Sequence, residues 1–307
     1  MEELDIFEFC ADAAEIGERL DKVLAMRLPD LSRTRIQELI KAGEVQVNSE
    51  TSKPAYRLEA EDCVTVTLPP IEGDQPVLPE NIPLDVLYED EYLAVVNKPA
   101  GMVVHPAYGN EHGTLVNAVL NRWSQTASVG DDETRAGIVH RLDKETSGVI
   151  LIALTDPTRE KLMAQFKART IEKHYLALTE RTPTTDRGKI DAPIGRDPKN
   201  RKRMAVVRDG KESVTEFQVR ERYEDYALLD VHPITGRTHQ IRVHLAFIEC
   251  PVVGDAVYGP RKQRIKTLFL HAYRISFDHP VTGERLTFEA ALPERLQTIL
   301  ENLPRSN

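Results

Sequence analysis

One acidic residue stands where a carboxylate could act on a bound molecule. Asp143 belongs to the stretch HRLDKETSG, which spans residues 140–148. It lies in a polar turn between two strand-like runs, 136–139 and 149–154. A carboxylate in such a turn can project into a cleft while the sheet holds the backbone behind it. The alternative for an isolated aspartate is that it caps its own turn.

The other residue types that perform chemistry give no second site. Four histidines could suggest a metal site, namely His105, His140, His239 and His244. They lack both the HExxH pattern and acidic neighbours at ligand spacing, so no metal is expected. The three cysteines, Cys10, Cys63 and Cys250, are scattered. Their spacing is typical of ordinary thiols in a reducing cytoplasm, and predicts neither a disulfide framework nor a zinc site.

The elements that must position Asp143 alternate between strands and helices from Leu84 onwards. Apolar periodicity predicts strands over 86–88, 93–97, 174–179, 227–231, 269–277 and 286–290. It predicts helices over 114–122, 157–168, 238–248 and 293–303. Because strands outnumber helices and short turns join many neighbours, the predicted fold class is α+β. Its core is a mixed, largely antiparallel central sheet flanked by helices.

A smaller module precedes this domain. Helices are predicted over 18–28 and 33–42, the second ending at Gly43. Two short strands follow, over 44–48 and 64–68. Five prolines among acids at 69–83 predict a stiff, exposed linker. The predicted organisation is an acidic lead over 1–16, the two-helix and hairpin module over 17–70, the linker over 71–84, and the second domain over 85–307.

The charge of the chain is unevenly distributed. The net charge of −9 argues against a nucleic-acid partner only until the positions of the acids are considered. Residues 1–18 and 72–91 each hold seven acids and no lysine or arginine. Residues 187–211 hold nine bases against three acids. Because the local field decides whether phosphate is attracted, the charge pattern permits binding to RNA.

Nothing in the sequence predicts a membrane protein. No run of eighteen apolar residues occurs, and the acidic N-terminus lacks the basic start and apolar core of a signal peptide. A cytoplasmic protein is therefore expected.

Four ordered stretches of the second domain carry a family resemblance. They are NKPAGMVVHP (97–106), the HRLDKETSG turn, KHYLAL (173–178) and TGRTHQIRVHL (235–245). Together they resemble the pseudouridine synthases of the RluA/RluD type, which modify large-subunit ribosomal RNA, over residues 84–300. The order GERLDKVLA…LSRTRIQELIKAGEVQVNS resembles the small RNA-binding domain named after ribosomal protein S-four, over residues 17–70.

The resemblance implies one particular isomerisation. Such an enzyme cuts the bond between uracil nitrogen and the anomeric carbon, turns the base, and rejoins it through ring carbon five. Reactant and product are isomers, so no water, metal or redox cofactor is needed, and no cofactor is expected. Asp143 resembles the catalytic aspartate of the family. It would either attack the anomeric carbon or remove a proton from the adjacent sugar carbon, and the sequence leaves both routes open.

The resemblance also implies partners for Asp143. Arg242 resembles the arginine that forms an ion pair with the aspartate, keeping it charged and aimed. Tyr175 matches a tyrosine that stacks on the target base and takes part in the late proton removal from carbon five. Leu245 resembles an apolar wall of the same pocket. Arg141 resembles a residue that approaches the RNA beside the flipped nucleotide, and its neighbour His140 is counted with the substrate-binding residues.

Two groups of basic residues are expected to contact RNA. The resemblance of the front module implies phosphate contacts from its helices and loops, through Arg19, Arg33, Arg35 and Lys41. The basic run 195–204 is expected to contact phosphates beside the site, through Arg201, Lys202 and Arg203. The alternative for both groups is that they are solvated charges without a partner.

Two other classes of function compete with the isomerase. A hydrolase of glycosidic bonds needs a second carboxylate in most cases, and Glu145 is the nearest candidate. A non-catalytic RNA-binding factor of ribosome assembly would be expected to have a damaged HRLD turn. Asp143, Tyr175 and Arg242 are all present, which favours the enzyme. The expected substrate is large-subunit ribosomal RNA, free or in pre-ribosomal particles, with transfer RNA as the alternative. These motifs need no partner subunit, so a monomer is expected.

Overall fold

The computed structural model describes most of the chain. The described residues are 5–12, 15–28, 33–68, 77–106, 110, 112–130, 135–198 and 203–304. For Asp5, Arg33, Thr34, Arg35 and Leu68 the description covers the backbone alone. The chain divides into two compact units, Met1–Gln75 and Pro76–Asn307.

The first unit packs two helices on a small antiparallel sheet. Its helices are α1 (Leu20–Arg27) and α2 (Arg33–Ala42). Its strands are β1 (Asp5–Cys10), β2 (Val45–Val47), β3 (Glu50–Thr51) and β4 (Cys63–Leu68), in the order β1-β4-β2-β3. Leucines and isoleucines of both helices and the valines of β2 and β4 form one buried core. The two helices and the hairpin that the sequence predicted are present.

Two features of this unit differ from the sequence predictions. Residues 5–10, assigned to an acidic lead, form β1 because Phe7 and Phe9 alternate with exposed residues and pack on the core. The prediction of reduced thiols was wrong for Cys10 and Cys63, which lie opposite each other in the β1–β4 register and form a disulfide. That proximity arises from strand pairing over 53 residues, so cysteine spacing gave no signal for it. Cys250 is a buried free thiol.

The second unit is built on a large mixed sheet. Its strands are β5 (Asp85–Glu89), β6 (Leu93–Lys98), β7 (Ser147–Ala153), β8 (Glu172–Thr179), β9 (Arg187–Asp191), β12 (Val214–Arg222), β13 (Ala227–Pro233), β14 (Leu270–Asp278) and β15 (Arg285–Glu289). The order is β5-β6-β7-β14-β8-β13-β12-β9, and β15 pairs with β14. The contact between β14 and β7 is parallel and the other pairings are antiparallel. The predicted α+β class is confirmed.

Helices and one separate hairpin complete this unit. The helices are α3 (Leu115–Arg122), α4 (Asp156–Ala168), α5 (Gln240–Phe247) and α6 (Glu294–Glu301). The hairpin pairs β10 (Ile194–Arg196) with β11 (Met204–Val206). None of the helices in the described part of the chain combines the length and the apolar character that crossing a membrane requires.

Strand β7 forms the rigid base from which the Asp143 turn projects. All seven of its residues are buried. Ile150 and Ile152 pack on one face of the sheet in the cluster that includes α3, while Val149 and Leu151 pack on the other with Leu162 of α4. A strand covered on both faces is typical of a sheet centre. The turn that precedes it therefore begins from a fixed point.

The run 136–139, predicted as a strand, is an irregular segment lying against β7. It makes a single bridge, between Ile138 and Ile152. Ala136 and Gly137 both have positive φ angles, of 40° and 75°, which interrupt extended structure. The Gly137 carbonyl still accepts a hydrogen bond from the Ala153 amide at 2.8 Å. The segment follows β7 closely without continuing the sheet.

Replacement of Gly148 by alanine tests how tightly β7 and β14 must approach. Gly148 has φ +121°, and an added Cβ would lie 2.1 Å from the Ala272 carbonyl oxygen. We expect Gly148→Ala to lower the free energy of unfolding by about 3 kcal/mol or more, because backbone atoms cannot move aside. Gly283→Ala is the matched control, with φ +73° and no atom within 4 Å. It should cost about 1 kcal/mol in urea unfolding. Equal losses would contradict the close approach.

Candidate active site

An ion pair joins the turn before β7 to helix α5. Nη1 of Arg242 donates a hydrogen bond to Oδ2 of Asp143 at 3.0 Å, across 99 residues of sequence. The Asp143 side chain remains 22% exposed, so one side of the carboxylate is open to an adjoining cavity. The ion pair expected from the resemblance is therefore present as geometry.

Arg242 has a second carboxylate partner that the sequence analysis missed. Nε and Nη2 of Arg242 donate to the two oxygens of Asp255 at 2.7 and 3.0 Å. Asp255 is fully buried and also accepts the amides of Val257 and Tyr258. Burial raises the pKa of Asp255, but the hydrogen bonds and charge of Arg242 outweigh it, so the pKa lies below its usual value. This bidentate pair fixes the plane of the guanidinium.

The same contacts keep Arg242 charged. Burial alone lowers the pKa of Arg242, yet the hydrogen bonds and negative charge of Asp255, with those of Asp143, raise it above its usual value. A permanent cation thus faces the Asp143 carboxylate. No sequence motif marked Asp255, because its role depends on a contact with α5 rather than on its own neighbours.

Tyr258 connects this cluster to the β10–β11 hairpin. The guanidinium carbons of Arg242 and Arg203 lie 5.2 and 5.1 Å from the centre of its ring. Its hydroxyl accepts the Met204 amide at 3.0 Å and lies 2.9 Å from Nδ1 of His239. Nε2 of His239 is in turn 3.9 Å from Oδ2 of Asp143. The hairpin is therefore attached to the residues that hold Asp143.

Lys98 holds the Asp143 turn against the loop that follows β6. Its side chain is fully buried, and Nζ donates to the carbonyls of Pro99, Met102 and Lys144 at 2.8, 2.9 and 3.2 Å. Burial lowers the pKa of Lys98 to about 8, against the opposing charges of Glu145 and Asp143. The lysine of the NKPAG motif thus joins two loops, a role that sequence reasoning did not assign to it.

A cavity of about 970 Å³ opens beside Asp143. Its lining includes Tyr175 from β8, His140 and Arg141 from the turn, and the apolar side chains of Phe166, Ile241 and Leu270. The structure brings five of the predicted residues, Asp143, Tyr175, Arg242, Arg141 and His140, to this one cavity. Leu245 is fully buried in the core beside Ile241 and Leu270, so it lies behind the apolar wall and not in it.

The two rings at the cavity are held in their neutral forms. Burial raises the pKa of Tyr175, and the Asp143 charge raises it further. Burial lowers the pKa of His140 to about 3, with a smaller contribution from the charge of Lys173. Nε2 of His140 accepts the Leu151 amide at 2.9 Å, which requires an unprotonated nitrogen. Both rings therefore contribute flat, uncharged surface at neutral pH.

The residues predicted to bind RNA are only partly described. Arg19 forms a two-pronged pair with buried Asp21 at 3.0 and 3.1 Å, while Lys41 is exposed on α2. Arg33 and Arg35 lie on α2, with their side chains outside the description. Arg201 and Lys202 fall outside the described residues, whereas Arg203 packs on Tyr258. In the described ranges, no three His, Cys, Asp or Glu side chains are grouped so as to hold a metal ion.

Asp255→Asn tests the buried pair. Removing the charge leaves Arg242 poorly compensated, so the free energy of unfolding at pH 7 should fall by about 3 kcal/mol. A carboxyl whose folded pKa is depressed stabilises above its unfolded pKa, about 4, and loses this contribution as the pH falls. The difference in the free energy of unfolding between wild type and variant, measured with urea, should therefore become smaller below about pH 4.

Asp225→Asn is the matched control for this experiment. Asp225 pairs with Arg264 at 3.4 Å, but both side chains are largely exposed. An exposed pair contributes about 0–1 kcal/mol, so this variant should unfold almost as the wild type does. A pH-independent loss for Asp255→Asn, or a loss no larger than the control, would contradict the role of the buried pair.

This chain is similar to known proteins along most of its length. Residues 92–247 match the family described as RNA pseudouridylate synthase, and residues 18–64 match the S4 domain. The chain is 45% identical, over the full length of both, to the uncharacterized RNA pseudouridine synthase YlyB of Bacillus subtilis. It is also 45% identical to ribosomal large subunit pseudouridine synthase D of Neisseria meningitidis, over 94% of this chain and 79% of that protein.

Solved structures show the same similarity. The human RNA pseudouridylate synthase domain containing 4 protein aligns with a TM-score of 0.57 and 27% identity, covering 72% of this chain and 94% of that one. The family match spans half of the sequence, and the similarity to curated relatives extends over nearly all of it. The chain belongs to the RNA pseudouridylate synthase family, and is an isomerase that acts on RNA.

Proposed function

We propose that this enzyme converts specific uridines of large-subunit ribosomal RNA to pseudouridine, with Asp143 as the catalytic residue. The observation that carries the proposal is the 3.0 Å pair between Asp143 and Arg242 at a cavity lined by Tyr175. The substrate is proposed because several similar proteins are named ribosomal large subunit pseudouridine synthase D. The S4 domain supports the binding of structured RNA.

Asp143 starts the reaction in this proposal. Its carboxylate either attacks the anomeric carbon of the target uridine or removes a proton from the adjacent sugar carbon. Both routes need an ionised, aimed carboxylate. The guanidinium of Arg242 holds one oxygen, Oδ2, and leaves the other to react. The cavity side of Asp143 is where the sugar would lie.

The target base is proposed to occupy the space beside Tyr175. A neutral aromatic ring offers a face on which uracil can stack before and after it detaches. The uridine must first leave its helix, at a cost of a few kcal/mol that falls in loops and mismatches. Arg141 is exposed at the cavity and is available to contact the RNA beside the flipped nucleotide. The cavity volume of about 970 Å³ accommodates a nucleotide.

RNA contacts outside the cavity are proposed for basic residues of both units. Lys41 of α2 offers an unshielded charge in the S4 domain. Arg203 lies on Tyr258, so RNA phosphates that contact the hairpin approach the cluster around Arg242. We expect the enzyme to act on this RNA in the cytoplasm.

Asp143→Asn tests the catalytic role. The rate of pseudouridine formation in transcribed large-subunit RNA should fall by about 10⁴-fold or more, since the amide can neither attack nor accept a proton. The dissociation constant for RNA and the unfolding midpoint should remain close to those of the wild type. Arg242→Lys keeps the charge but loses the fork, so its loss should be intermediate. Full activity of Asp143→Asn would contradict the proposal.

Mapping of pseudouridines tests the proposed substrate. In RNA from cells lacking this protein, we expect particular positions of large-subunit ribosomal RNA to revert to uridine. Wild-type protein should restore them, whereas Asp143→Asn should not. Loss confined to transfer RNA would overturn the proposed substrate and leave the isomerase activity in place.

A further inference from the structure

Lys173 is a partly buried cation in the cavity, apart from the Asp143–Arg242 pair. Lys173 and Tyr175 are two residues apart on β8, so their side chains project from the same face of the sheet. Both line the cavity. His174, between them, turns to the opposite face, where it lies 2.9 Å from Asp230 and stacks on His232. Lys173 thus points to where the detached base would lie.

The Lys173 ammonium has no anionic partner among the residues that the structure describes. Nζ lies 5.9 Å from the centre of the Phe166 ring and near Gly236, where an added Cβ would be 3.9 Å away. It makes no ion pair or hydrogen bond with any side chain in the described ranges. Arg242, in contrast, is committed to Asp143 and Asp255 through three nitrogens. Lys173 therefore remains available to a ligand in this cavity.

The proposed reaction creates a need for such a cation. When the bond between C1′ and N1 breaks, its electron pair stays with the base. Either an oxygen of Asp143 bonds to C1′, or C2′ loses its proton to Asp143 and a double bond forms between C1′ and C2′. In either route the detached uracil is an anion, with its charge shared between ring nitrogens and the two carbonyl oxygens. When an anion forms in a partly apolar cavity, a hydrogen-bond donor that is already in position stabilises it most.

We infer that Lys173 stabilises the detached uracil anion by donating a hydrogen bond from Nζ to one of its carbonyl oxygens. The proton remains on the lysine throughout, so the step is electrostatic and adds no proton transfer. Same-face neighbours on a strand are separated by roughly 7 Å, which lets a base stacked on Tyr175 present an edge to Nζ. Lys173 is thereby a further catalytic residue, and this role rests on the proposed chemistry of Asp143.

The surroundings of Lys173 support this role. Burial lowers its pKa to about 8, so the ammonium form still predominates at neutral pH. Its neighbour His140 is neutral and accepts a backbone amide, so it does not compete for the anion. An ammonium withdrawn from water and unpaired in the free enzyme interacts more strongly with a charge that develops during the reaction. The uncharged ground-state base gains less.

The test compares Lys173→Met with Lys173→Arg. Under single-turnover conditions, on any RNA that the wild type modifies, Lys173→Met should react about 100-fold more slowly. Lys173→Arg, which keeps a cation, should lose about tenfold or less. The second substrate is RNA with 5-fluorouridine at the target position. The 5-fluorouracil anion that detaches from it is a weaker base than the uracil anion, so it needs less stabilisation. The rate loss of Lys173→Met in glycosidic bond cleavage should therefore be clearly smaller with that RNA.

Lys161→Met is the matched control. Lys161 lies on α4, outside the cavity lining, with Nζ bonded to the Pro280 carbonyl at 2.8 Å. It should react at the wild-type rate on both RNAs. A rate for Lys173→Met within about threefold of wild type would overturn the inference. So would an equal loss on both RNAs with no rescue by arginine, since a merely structural lysine would produce that pattern.

The inference and the proposed function fail differently in these experiments. If the wild type modifies an RNA other than large-subunit ribosomal RNA, the proposed substrate is wrong, and the Lys173 comparison proceeds on that RNA. If Asp143→Asn is fully active, the proposed catalytic role is wrong. The substrate-dependent loss in Lys173→Met addresses the uracil anion alone.

Discussion

The site depends on how one buried arginine is divided between two carboxylates. Burying the charges of Arg242 and Asp255 costs free energy. Their bidentate hydrogen bonds to each other, and the two backbone amides that donate to Asp255, offset that cost. Because Asp255 holds Nε and Nη2, only Nη1 is directed at Asp143. The exposed carboxylate is thus oriented by a cation whose own position is fixed elsewhere. A single ion pair between Arg242 and Asp143 would leave both side chains free to turn.

The fold brings these residues together through its one parallel contact. β7 and β14 meet at Ser147 and Gly148, opposite His271 and Ala272, immediately after the Asp143 turn. The close backbone approach at Gly148 leaves no room for a side chain. From the other side, Lys98 joins the turn to the loop after β6 through three carbonyls. Asp143 therefore lies on a turn that is held by backbone packing at Gly148 and by the Lys98 side chain at Lys144, as a preorganised site requires.

Sequence reasoning succeeded where the signal was local and failed where contacts were distant. The helices α3 and α4 were predicted from apolar periodicity, and the fold class from the succession of elements. The roles of Asp255, Tyr258 and Lys98 depend on partners in other loops, so the residues next to them in the sequence do not indicate these roles. The disulfide between Cys10 and Cys63 arises from strand register for the same reason. The strands β9 and β12 were missed because exposed charges interrupt their alternation, and β10 and β11 because strands of three residues are too short to show a period.

The distribution of charge across the cavity follows from these constraints. Asp143 and Arg242 form an ion pair at one end of the cavity. Lys173 lies near Phe166, Gly236 and the neutral ring of His140, with no ion-pair partner among the described residues. Burial keeps the His140 ring neutral. A protonated ring would lose its hydrogen bond from the Leu151 amide and would repel Lys173. Before reaction the Lys173 ammonium therefore faces a partly apolar part of the cavity. In the proposed reaction, that arrangement favours a base that departs with its electron pair over one that stays bonded, which is the direction in which the first step must go.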